Sequence, residues 1–138
     1  MQQNIRITAH DHQRLTQLII DLGRLPAAAT SGADTLAELL DTGRIVPPQD
    51  IPVNVVTMNS RVQYQDLETG ELREACVVYP EDANPAGGRI SVLSPVGASL
   101  LGLAAGDETI LPLPHGRSAC IRICKVVWQP EAHGEYAL

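Results

Sequence analysis

The chain has 138 residues, 44% of them apolar, which is room for one ordinary core and a small appendage but not for a second full domain. Its formal net charge is −6 and Lys125 is the sole lysine among ten basic residues, so an electrostatic nucleic-acid binder, which needs clustered positive charge, is excluded as the first reading. There is no secretory leader, lipidation motif or long apolar run, and the expectation is a soluble cytoplasmic protein with no membrane contact.

In chain order, Thr8 followed by Asp11 reads as a helix start. Leu15, Leu18, Ile19 and Leu22 then keep the spacing of one buried helical face until Gly23. A second helix is predicted from about Ser31 to Asp34, through Leu36, Leu39 and Leu40, to Gly43. Pro26 between them cannot continue a helix, so residues 1–46 are expected to form a short antiparallel helical hairpin, or coiled coil. Arms of ten to fifteen residues would reach only about 15 to 22 Å. Residues 47–52, with Pro47, Pro48 and Pro52, read as an extended connector.

From residue 53 to 138 the signals are mainly those of strands. Val62 and Tyr64 alternate with polar neighbours, residues 68–71 make a turn, and Ala75 to Tyr79 forms the hairpin partner. Arg89 to Leu93 is a strand that runs straight into a short helix with Ser94 as N-cap, Pro95 at the first helical position and Gly102 beyond the end. That helix should bury Val96, Leu100 and Leu101. Glu108 to Leu111 is a strand that Pro112 and Pro114 confine to an edge. In the last strand, Arg117 to Trp128, the apolar phase flips between Ile123 and Cys124, which predicts a β-bulge there and an inward Cys124, Val126 and Trp128. The fold class is α+β: an antiparallel sheet packed on one short helix, behind the helical hairpin.

Cys120 and Cys124, four apart in a strand, would lie about 13 Å from each other, too far for a disulfide, and three thiols cannot all pair. His10 and His12 diverge around a helix, so no metal site is expected, and Gly87-Gly88 lacks the spacing of a phosphate loop. No catalytic residue and no cofactor are assigned.

The run Ile90-Ser91-Val92, Ser94-Pro95, Gly97, Leu100-Leu101-Gly102 with Ala105-Gly106-Asp107 resembles the C-terminal domain of the Gre-type transcription factors. Residues 55–62, the turn at Ser94 to Gly97, and the ending from Trp128 to Leu138 are similar to the branch called regulators of nucleoside diphosphate kinase. The resemblance implies an FK506-binding-protein-like domain that docks on bacterial RNA polymerase at its secondary channel. It further implies that the turn Leu93, Ser94, Pro95 and Val96 contributes to polymerase binding. Where Gre factors carry an acidic residue this chain has Leu93, leaving an apolar contact.

Cleavage-stimulating members carry carboxylates at the tip of a longer hairpin, where they help hold a magnesium ion. The tip here, residues 23–32, contains no acid, and the flanking Asp21 and Asp34 suit helix ends. The implied activity is therefore regulation of transcription in competition with cleavage factors, without transcript cleavage and with an indirect effect on nucleoside diphosphate kinase. Two alternatives stand beside it: direct interaction with that kinase, or prolyl isomerisation, which an aromatic-lined cavity would serve and which a chain with no phenylalanine, one tryptophan and three tyrosines fits poorly.

Overall fold

Helix propagation begins where side chains can satisfy the first free N–H groups, and both caps read from the sequence occur as expected. The computed structural model describes residues 5–24, 30–112 and 116–135. Its elements are β1 (Arg6–Thr8), α1 (Ala9–Ile20), α2 (Ala33–Thr42), β2 (Arg44–Val46), β3 (Arg61–Asp66), β4 (Leu72–Val78), β5 (Arg89–Ser91), α3 (Pro95–Leu100), β6 (Glu108–Pro112) and β7 (Ser118–Trp128). Thr8 caps α1 by accepting from the Asp11 N–H at 3.0 Å. The cap of α2 is Gly32, which has no side chain to offer, while Asp34 sits exposed in the first turn where the helix dipole favours an acid.

The main sheet has strand order β5-β4-β3-β7-β6. β3 pairs antiparallel with β4, as the alternation predicted, and β6 is an edge strand on β7. The expected all-antiparallel sheet is corrected at one end: β5 runs parallel to β4, with Cys76 opposite Arg89. The loop after β4, with 3₁₀ turns at Pro80–Asp82 and Pro85–Gly87, carries the chain back to the level of Cys76, so β5 runs from there in the direction of β4. The predicted bulge is present. Gln63 faces Lys125 and Tyr64 faces Ile123, leaving Cys124 as the extra residue. A second irregularity at Val127 sets Trp128 opposite Arg61 and turns the indole outward, 37% exposed, where an inward ring was expected.

β1 and β2 form a separate parallel pair that sequence periodicity did not reveal, since three residues are too few to show a period. Pro48–Asp50 forms a 3₁₀ turn within the segment expected to be extended. The Pro52 carbonyl then anchors the following turn by accepting from the Val55 N–H.

The helices at residues 9–42 and the sheet share one hydrophobic cluster. Leu15 and Leu36, both fully buried, belong to the same cluster as Met58, Leu93, Leu100 and Leu101. Complete burial of a leucine is worth about 1.5 to 3 kcal/mol, so these two alone contribute substantially to holding the helices on the sheet. Leu18, Ile19 and Leu22 complete the predicted face but stay partly exposed at its margin. His12, near the start of α1, bonds the Leu40 carbonyl near the end of α2 at 2.9 Å.

Candidate functional site

The turn between β5 and α3 is built by three short side-chain bonds. The Ser91 hydroxyl accepts from the Leu93 N–H at 3.1 Å, the Ser94 hydroxyl donates to the Ser91 carbonyl at 2.6 Å, and the same Ser94 oxygen accepts from the Gly97 N–H at 3.1 Å. Pro95 at the first helical position supplies a fixed φ and lacks only an N–H that would be unpaired anyway. Gly97 has a steric reason: a Cβ there would collide with the Ser91 carbonyl, so helix and strand end can approach this closely only with glycine. Gly102 at φ +85° ends the segment, and the Arg6 N–H donates to its carbonyl.

Of the four residues assigned to this turn, the structure brings Ser94, Pro95 and Val96 to a half-buried surface and places Leu93 elsewhere. Leu93 is 0% exposed and belongs to the shared core. An apolar contact made by the Leu93 side chain is corrected accordingly. The side chain faces inward because Ser91 and Ser94 fold the backbone around it, and α2 closes over what remains. The Gly32 N–H donates to the Leu93 carbonyl at 2.6 Å, and a Cβ on Gly32 would strike the Ser94 backbone. The turn therefore presents its serine, its proline and part of a valine.

A second polar assembly fastens α1 to the far end of the sheet, and sequence reading missed it. Asp11, 1% exposed, accepts from the Met58 N–H at 3.1 Å through its side chain. Burial pushes its carboxyl up from 3.8 to about 7, the Met58 and Thr8 bonds pull the other way, and nearby Glu131 adds to the rise. Thr57 donates to Glu131 at 2.7 Å and shares a 2.7 Å contact with the Ser60 hydroxyl. Gln129, 2% exposed, donates from its Nε2 to the carbonyls of Pro52 and Val55, both at 2.8 Å. Arg14 lies 4.1 Å from the centre of the Tyr79 ring, whose phenol burial also pushes well up. The sequence signal was the presence of Thr57, Ser60 and Gln129 inside matched segments, but nothing in local spacing links them to Asp11.

The remaining candidates separate. Asp21 closes α1 and accepts from Gln17 at 3.2 Å. Residues 25–29, half of the tip expected at 23–32, lie outside the described residues. Cys76, Cys120 and Cys124 are free thiols. Among the described residues no cluster of histidine, cysteine and acidic side chains could hold a metal, and no helix is long and apolar enough to cross a membrane.

Comparison with known proteins agrees with this arrangement. The family model for the C-terminal part of the transcription elongation factors GreA/GreB matches residues 51–127, which include the turn, α3 and most of the sheet. A regulator of nucleoside diphosphate kinase from Escherichia coli (strain K12) is 42% identical over 106 residues, 77% of this chain and 78% of that protein. The transcription elongation factor GreA of Solidesulfovibrio magneticus is 39% identical over 62 residues, 45% of this chain but only 38% of that protein. Among solved structures, a transcription elongation factor GreA/GreB from Nitrosomonas europaea superposes with a TM-score of 0.75 at 38% identity, covering 92% of this chain and 100% of that one. GreA factor homolog 1 of Thermus thermophilus, at 23% identity and a TM-score of 0.50, shares the fold. With its turn, its α3 and its sheet all inside the matched region, the chain belongs to the GreA/GreB family, in the branch of the regulators of nucleoside diphosphate kinase.

Proposed function

We propose that this protein is a non-enzymatic transcription regulator that binds bacterial RNA polymerase in the cytoplasm, at the mouth of the secondary channel. Residues 53–138 act as an FK506-binding-protein-like docking domain, with Ser94, Pro95 and Val96 as contact residues and Leu93 as the core residue that holds them in place. Residues 1–46 act as a helical hairpin directed at the channel, joined through the connector at 47–52. The observation that carries this reading is the GreA/GreB match over 51–127, which contains the strand-to-helix turn braced by the Ser91 and Ser94 side chains.

With α1 at 12 residues and α2 at 10, the arms extend only about 18 and 15 Å. The protein thus occupies the entrance, competes with cleavage factors there, and stimulates no cleavage. An effect on nucleoside diphosphate kinase follows through transcription. The test is binding of the full chain to core RNA polymerase, with and without a competing cleavage factor. Saturable binding that the factor displaces supports the reading, and no binding overturns it. The name of the Escherichia coli relative favours a second reading, direct binding to the kinase, which the same assay with purified kinase distinguishes.

A further inference from the structure

The outer face of the main sheet, opposite the side on which α3 packs, carries a row of four residues in direct register. Trp128 on β7 faces Arg61 on β3, Arg61 faces Cys76 on β4, and Cys76 faces Arg89 on β5. Adjacent strands are about 4.8 Å apart, so the two arginine backbones lie about 10 Å from each other with a short thiol between them. The small side chain leaves a notch of about 390 Å³, lined by all four residues together with Asp82 and Val78. Sites for small molecules run from about 300 to 1,000 Å³, so one modest ligand fits.

We propose that this notch binds a small phosphorylated compound bearing a flat ring, of the nucleoside 5′-monophosphate class, with its phosphate between Arg61 and Arg89. Arg61 and Arg89 both line the notch, and two fork-shaped cationic donors on its wall suit a phosphate dianion in donor pattern and charge, on a chain whose overall charge is −6. Arg89 is exposed and makes no ion pair among the described residues. Arg61 meets Glu74 at 3.2 Å, but both side chains are more than a third exposed, and such a surface pair is readily exchanged for a dianion. Cys76 does not compete for the arginines, because burial raises its pKa and keeps the thiol neutral.

The other end of the row suits a ring. His133 stacks on Trp128 with centroids 5.3 Å apart and planes within 13°, which fixes the plane of the indole whose remaining surface lines the notch. An aromatic platform of this kind is worth about 1 to 3 kcal/mol per stacked base in nucleic-acid binders. Asp82 supplies an acceptor for a sugar hydroxyl, as acidic residues do in dinucleotide sites, and disfavours a plain polyanion. The notch and the Ser94 turn lie on different faces of the sheet, so this inference is independent of the polymerase reading.

Trp128 is the sole tryptophan, so its fluorescence reports on the notch directly. The full chain is titrated with guanosine 5′-monophosphate, guanosine and inorganic phosphate, by fluorescence and by calorimetry. The expected result is saturable binding of the monophosphate, at least about tenfold tighter than either part alone, which Arg89→Gln weakens by about tenfold or more. Arg122→Gln, which removes a cation paired with Glu108 at the far end of the sheet, should leave binding unchanged. Circular dichroism confirms that both variants are folded. The proposal is overturned if the monophosphate gives neither signal, if inorganic phosphate binds as tightly as the monophosphate, or if Arg89→Gln binds like the wild type.

Discussion

The backbone N–H of Gly32, which caps α2, donates to the carbonyl of Leu93 at 2.6 Å. That bond joins a helix outside the family-matched region to the turn at the centre of it. It also explains why a glycine stands at the cap instead of serine or aspartate. Any side chain would enter the space held by the Ser94 backbone.

Gly32→Ala should therefore destabilise the protein by about 1 to 3 kcal/mol, the usual cost of forcing extra volume into a packed contact. Its φ of −94° carries no strain for alanine, so the loss would be steric alone. Urea denaturation measures it. A variant as stable as wild type would mean that α2 does not need to sit this close to the turn.

Asp11 makes stability depend on pH in an unusual direction. Its folded-state carboxyl titrates near 7 instead of 3.8, so the native state holds a proton that the unfolded chain has already released. The contribution is fully present below about pH 4 and is lost as pH rises through 7, with a slope of at most about 1.4 kcal/mol per pH unit. Asp11→Asn stays neutral and keeps an acceptor for the Met58 N–H. The variant should gain on the wild type as pH rises from 5 to 8, read from paired denaturant melts. Parallel curves would show that the carboxyl is not held neutral.

Pro95→Asp separates docking from folding. An acid is tolerated in the first turn of a helix, and loss of the fixed φ costs about 0.4 to 1 kcal/mol. Polymerase affinity should fall by about thirtyfold if the turn is an anchor of the interface, equivalent to about 2 kcal/mol. Leu93→Ala should behave the opposite way, losing about 2 to 5 kcal/mol of stability, because that side chain is wholly inside the core. Unchanged polymerase affinity in Pro95→Asp would remove the turn from the interface.

Backtracked transcripts provide the fourth test. With α1 and α2 only about 18 and 15 Å long and no acid between residues 23 and 32, saturating protein should leave cleavage at the intrinsic rate of the polymerase. Rates above it would redirect attention to Asp21 and Asp34.

Local chemistry was readable wherever one short segment contained its own cause. The Thr8 and Ser94 caps, the edge position of β6 and the bulge at Cys124 each follow from residues within four positions of one another. The pairing of β5 was not readable. Its direction depends on where residues 79–88 deliver the chain, and a three-residue strand has no pattern that distinguishes parallel from antiparallel. Leu93 illustrates the same limit for the site: an apolar residue beside a cap could point outward to a partner or inward to a core, and only the position of α2 settles which.

The sequence by itself determined the class of fold, the caps, the strand-to-helix turn and the family, because these rest on spacings of two to four residues and on ordered motifs along the chain. Tertiary structure alone decided that Leu93 is core, that Asp11 is a buried acid with a raised pKa tied to Met58, and that Trp128, Arg61, Cys76 and Arg89 stand in one row. The physical reason is common to all three. Burial, a shifted pKa and a cross-strand row are properties of neighbours distant in sequence, and those neighbours exist only once the chain has closed around its core.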